Sequence, residues 1–137
     1  MVEIVYQTDL QIVDWAAMKT ILRQDAFDNG RSPQQLKASF ENSYAACVAY
    51  ANQQLVGTAR VLSDGVCNAY LVDVWTLSAY RRQGIASEMI RTLLKQLSGQ
   101  HVYLFTDEVP ELYTKLGFKQ QPIGMGQVVG TWLVNQT

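Results

Sequence analysis

Cysteine, histidine and proline are scarce in this chain of 137 residues, which holds two Cys, one His and three Pro. Cys47, Cys67 and His101 do not stand at metal-ligand spacing, so no metal site is expected. Two cysteines are too few for a disulfide framework, and both read as reduced thiols packed in strands. Pro33, Pro110 and Pro122 are scattered as punctuation, and no linker, repeat or low-complexity stretch is visible. No apolar run approaches the roughly 20 residues of a membrane span. Met1-Val2-Glu3 opens without the basic and apolar regions of a signal peptide, so the chain reads as cytoplasmic, with no membrane partner. Excess charge is missing too. Eleven Lys and Arg against twelve Asp and Glu leave a net charge of −1. No global field draws nucleic acid, and any anion must be held by a local site.

What is present is globular: 48% hydrophobic and 17% charged residues, at a length suited to one domain over residues 1–137. Strands are predicted at Glu3–Tyr6, Ala45–Ala51, Leu55–Leu62, Cys67–Leu77, Val102–Phe105, Phe118–Gln120 and Val128–Val134. Helices are predicted at Leu10–Asp25, from Ser32-Pro33 to about Asn42, at Gly84–Ser98 and at Pro110–Leu116. Ser32-Pro33-Gln34-Gln35 carries a start signal: Ser at the N-cap, Pro at the first helical position and Gln three after the cap. Asp64-Gly65 between two β-rich runs marks a hairpin. The order predicts an α/β fold with a mixed sheet.

The segment from Val74 to Ala86 carries the chemistry. A buried strand runs into a basic, glycine-bearing turn that opens an amphipathic helix. Such a turn presents unpaired amide N–H groups at the positive end of a helix dipole, an anion site that phosphates commonly fill. Arg81 and Arg82 add local charge, and Gly84 lets a ligand approach the backbone. There is no Walker Gly-Lys-Ser/Thr, and no Rossmann set of three glycines with a downstream acid. What remains is Arg/Gln-x-x-Gly-x-Gly/Ala, filled by Arg81, Gly84 and Ala86. A basic turn capping a structural helix is the plain alternative.

With that hexad, and with Leu112-Tyr113-Thr114-Lys115-Leu116-Gly117-Phe118 following at the expected distance, the sequence resembles the GNAT superfamily of acetyl-CoA-dependent N-acetyltransferases. Gly30-Arg31-Ser32-Pro33, Glu41-Asn42-Ser43, Ser63-Asp64-Gly65 and Asp73-Val74 further resemble a small bacterial and plastid branch. The resemblance implies a GNAT fold: a central, mostly antiparallel mixed sheet flanked by about four helices, with a splayed strand pair binding acetyl-CoA. It places the cofactor diphosphate on Arg81, Arg82, Gln83, Gly84, Ile85, Ala86 and Ser87. It lays the pantetheine arm along the backbone of Trp75, Thr76 and Leu77, and makes Tyr113 the acid that protonates the leaving thiolate. A short aromatic pocket lined by Trp75 or Tyr44 would favour an arylalkylamine acceptor and a long acidic groove a peptide, and Phe27, Arg31 and Tyr44 could reach the acceptor cleft.

Asp73 interrupts an otherwise apolar strand, and an ionised carboxylate there needs a partner or a cavity. It is read either as the base or amine anchor, or as a structural carboxylate. The stretch from Val102 to Thr106 carries no acid where some members of the family it resembles place a catalytic Glu, and that departure favours a water relay. Asp107 and Glu108 are read as caps of the following helix, His101 as a turn residue and Trp15 as core. The implied function is acetyl transfer, without a metal, from acetyl-CoA to the primary amine of a small molecule, arylalkylamines being linked to that branch. The alternatives are a protein or peptide N-acetyltransferase and a non-catalytic acyl-CoA sensor. Dimers are common in the family, so a homodimer is among the implied partners.

Overall fold

A computed structural model describes residues 2–107 and 110–133. Strand β1 (Ile4–Gln7) leads through a 3-10 turn (Leu10–Ile12) to helix α1 (Trp15–Gln24) and helix α2 (Pro33–Glu41). A meander of β2 (Ala45–Ala51), β3 (Gln54–Ser63) and β4 (Asn68–Thr76) follows. After a second 3-10 turn (Ser78–Tyr80) come α3 (Ile85–Leu94), β5 (His101–Tyr103) and α4 (Pro110–Lys115). The five strands form one sheet in chain order, antiparallel throughout except for β4 and β5.

Local chemistry sets the boundaries. The stretch predicted as one helix over 10–25 divides, because Asp9 and Asp14 each cap a separate start, on Gln11 N–H and Ala17 N–H. Ser32 and Gln35 form the expected reciprocal capping box on α2. The β3–β4 hairpin is held by Asp64, whose Oδ1 accepts from the amides of Val66 and Cys67 at 2.8 Å each. Cys67 therefore precedes β4 and is exposed, against the packed thiol predicted, whereas Cys47 is fully buried. His101 begins β5, its Nδ1 2.9 Å from Tyr103 Oη. The strands predicted at 118–120 and within 128–133 do not form; no described residue after Tyr103 is in a strand. Val134 lies outside the described residues.

The sheet is covered on both faces. Ile85, Met89, Ile90 and Leu93 of α3 pack on Cys47, Ala49 and Leu71. Met18 and Leu22 of α1 and Leu36 and Phe40 of α2 pack, with half-buried Trp15, on Val48, Leu55 and Trp75. This two-sided cover is why β2 reads as an unbroken apolar run. No helix of the described residues is long and apolar enough to cross a membrane.

Strand β4 is irregular in a consequential way. Val72 lies opposite Arg60 and Trp75 opposite Thr58, so three steps of β4 face two of β3, a β-bulge. Side chains alternate with period two, so Leu71 and Trp75 would share a face in a regular strand. Instead Leu71 joins the α3 layer and Trp75 the α1–α2 layer. The residue that absorbs the extra step is Asp73, at φ +55.

Candidate active site

β4 and β5 pair only from Asn68–His101 to Tyr70–Tyr103 and then part. Beyond that fork, β4 from Leu71 to Thr76 has no strand partner on its β5 side among the described residues. The splay predicted for the strand pair is present.

β4 leads directly into the turn at residues 81–84. Arg82 (φ +66) and Gly84 (φ +83) both adopt left-handed backbone there, and Gly84 is the N-cap of α3. Unlike Ser32 on α2, Gly84 has no side chain to cap the helix. Residues 81 and 82 form a turn, and among the described residues none accepts from the amides of residues 84–87, while Gly84 O already accepts from Glu88 N–H. Gly84, Ile85, Ala86 and Ser87 thus set an open row of donors at a helix N-terminus, with Gln83 just before it. A Cβ built on Gly84 would meet nothing within 4 Å, so the space before the turn is open.

The predicted side chains divide. Arg82 is exposed with no described partner and can turn to an anion. Arg81 is folded back: its Nε donates to Thr76 O at 3.1 Å, and its guanidinium stands 3.8 Å from Asp25. Trp75 is 2% exposed and donates Nε1–H to Asp25 at 2.9 Å, so its ring is core and cannot line a pocket. Tyr44 is exposed and Phe27 packs on the α1–α2 layer. Thr76 Oγ1 is buried without a hydrogen-bond partner. An unpaired strand edge beside an open helix N-terminus fits a long ligand with amides at one end and phosphates at the other.

Tyr113 is held by the end of α4. Gly117 (φ +95) lets its own amide reach Thr114 O and lets Phe118 N–H reach Tyr113 O at 3.0 Å, the paired bonds of a Schellman cap. Phe118 then meets the Tyr113 ring edge-on at 5.9 Å. Burial pushes the Tyr113 phenol above its ordinary value, so it stays protonated at neutral pH. The buried thiol of Cys47 is pushed up to about 11, by desolvation and then by Glu88, and is inert as a nucleophile. Among the described residues no cluster of His, Cys, Asp or Glu could hold a metal ion.

Of the two roles open to Asp73, the geometry matches the structural one. Its Oδ1 and Oδ2 accept from Arg31 at 3.1 and 2.9 Å, and Oδ2 also accepts from Arg60 Nε at 2.6 Å. Two guanidiniums on one carboxylate leave a positive local balance, which repels a cationic amine rather than anchoring it. Arg60 was not singled out from sequence; its only signal is a charge on a strand that is otherwise nearly apolar.

A hollow of about 670 Å³ opens at the fork, lined by Tyr70, Phe105, Met125, Val128 and Trp132 among others. Tyr70 and Phe105 meet edge-on, centroids 6.1 Å apart. Sequence reading missed Met125, Val128 and Trp132 because the tail was expected in strands, and Tyr70 and Phe105 because they read as ordinary strand residues.

The sequence model of the acetyltransferase (GNAT) family matches residues 13–118. A soybean (Glycine max) protein, Histone acetyltransferase TAP1, is 35% identical over 107 residues, covering 66% of this chain and 46% of that protein. The chain therefore spans less than half that relative's length. A GNAT family acetyltransferase from Streptococcus pneumoniae has a similar fold, with TM-score 0.74, 24% identity, and coverage of 94% of this chain and 98% of that one. A predicted acetyltransferase from Clostridium acetobutylicum, solved with acetyl-CoA, superposes with TM-score 0.67 at 19% identity, covering 93% of this chain and 96% of that one.

Proposed function

The chain belongs to the GNAT acetyltransferase family, and from that premise we propose that it transfers acetyl from acetyl-CoA to the primary amine of a small aromatic molecule within a ternary complex. One observation carries this reading: the row of unpartnered amides at the α3 N-terminus, continuous with the unpaired edge of β4. A diphosphate on residues 82–87 would send its thioester arm along Trp75, Thr76 and Leu77, toward the bend at Asp73. Arg82 supplies the side-chain charge at the diphosphate, and Arg81 acts by holding the strand end at Thr76 O.

An alkylamine has a pKa near that of Lys, about 10.4, and must lose a proton before it attacks. With Asp73 occupied by arginines, that proton leaves through water. The amine nitrogen bonds to the carbonyl carbon and sheds its second proton to the water, the C–S bond breaks, and the thiolate takes the Tyr113 proton. The phenolate is reprotonated from the same water, so the amide, free CoA thiol and one proton are released. A strand amide on the free edge of β4 steadies the oxyanion.

The hollow walled by Tyr70, Phe105 and Trp132 favours a compact aromatic acceptor. A second reading, a protein lysine or N-terminus, draws support from the histone acetyltransferase name of the soybean relative. Thiol release from acetyl-CoA, measured against aromatic amines, polyamines and a basic peptide, separates them. Fastest release with an aromatic amine is expected; faster release with the peptide selects the second reading. Tight acetyl-CoA binding with no release from any acceptor overturns both and leaves an acyl-CoA sensor.

A further inference from the structure

Asp73 sits where three elements meet. Arg31 reaches it from the loop between α1 and α2, Arg60 from β3, and its own backbone makes the bend in β4. Arg31 is 6% exposed and is aimed by Asn29, whose Oδ1 accepts from its Nε at 2.8 Å. Arg60 is steadied over the Phe40 ring at 5.7 Å. The bend is fixed from the backbone side too, because Thr58 Oγ1 donates to Asp73 O at 2.9 Å. The same loop is pinned at its start: Asp25 accepts from Trp75 Nε1, Ser78 N–H and Ser78 Oγ at 2.9, 3.1 and 2.6 Å. The segment 25–31 is thus stitched to β4 at both ends of the stretch 73–78.

Left-handed backbone at a non-glycine residue inside a strand persists only where its surroundings enforce it. Here the enforcing contacts are side-chain bonds to Asp73. The bend also decides which way every later residue of β4 faces, Trp75 inward and the Thr76 backbone along the free edge. Resting on the acetyl-transfer reading above, we propose that Arg31, Asp73 and Arg60 form a clamp that sets the bend of β4 and so aligns the thioester for attack. Asp73 is then a positioning residue, and Arg31 its partner from the loop between α1 and α2.

Two variants test this. Arg31→Gln removes one of two arginines and leaves Asp73 paired one-to-one with Arg60, so no lone charge is buried. Asp73→Asn removes the carboxylate. Each variant is assayed for kcat, for acetyl-CoA affinity by calorimetry and for thermal unfolding. Both are expected to lose about tenfold in kcat, to a similar level, with acetyl-CoA affinity within about twofold of the parent, as for an approximately 1.4 kcal/mol loss confined to the transition state. A parental kcat in folded Arg31→Gln overturns the clamp, whether or not Asp73→Asn folds. A parental rate in that variant with a loss of more than about a hundredfold in Asp73→Asn would instead mark Asp73 as a proton acceptor. A parent protein that transfers acetyl to no amine overturns the proposal together with the reading beneath it, whereas failure in the variants alone overturns only the clamp.

Discussion

The indole N–H of Trp75 donates to the carboxylate of Asp25 at 2.9 Å, joining the end of α1 to the strand that feeds the proposed cofactor turn. Asp25 also accepts from the backbone and hydroxyl of Ser78. Asp25→Ala leaves three donors without their acceptor, two of them at the head of the turn. A loss of about 2–3 kcal/mol in unfolding free energy is expected, read from denaturant midpoints. A midpoint within error of the parent would show that water replaces the carboxylate without cost.

The same residue has a pH signature. Burial pushes the Asp25 carboxyl up, but bonds from Ser78 and Trp75 outweigh it and hold the group below its ordinary value. Asp28 is lowered likewise, burial being outweighed by Lys19 and Gly30. A carboxylate depressed in the folded state stabilises above its unfolded pKa, about 3.9, and that stability is lost as pH falls through the folded value. The Tm gap between the parent and Asp25→Asn should therefore be full at neutral pH and shrink below about pH 4. A gap that stays constant down to pH 2 contradicts the assignment.

Much of this arrangement was legible in the chain itself, and what was not has identifiable causes. The Ser32 capping box, the β2 limits at Ala45 and Ala51, and the glycine turn at 81–84 depend on neighbours in sequence, and all are present. Asp73 stood out as a charge in an apolar run, but its partners lie 42 and 13 residues away, where no local pattern points. Which layer Trp75 faces was not legible, because the bulge reverses the alternation from which facing is read. The tail near Val128 has the composition of a strand, yet strand propensity acts only where an edge accepts it, and none of the described tail pairs with β5.

Gly84 separates backbone from ligand effects. A Cβ there touches nothing, so Gly84→Ala costs the folded protein only the left-handed strain, about 1–2 kcal/mol. Acetyl-CoA affinity should fall further, by at least about tenfold, because the methyl enters the space where a phosphate would meet the amides. Equal affinity in a folded variant would place the diphosphate elsewhere.

Tyr113→Phe keeps the ring that packs on Phe118 and removes only the hydroxyl. A loss of about a hundredfold in kcat is expected, with acetyl-CoA affinity unchanged, the usual scale for a general acid. Because burial raises this phenol, the parental rate should show no loss from its ionisation below about pH 10. Parental turnover in the variant removes Tyr113 from the proton path.

The most direct test is an amide-resolved NMR titration of the intact protein with acetyl-CoA. The largest shifts should appear at the backbone N–H groups of residues 82–87, with a second set along Trp75, Thr76 and Leu77. Saturable binding that leaves the amides of 82–87 unmoved would contradict the assignment of the α3 N-terminus as the diphosphate site.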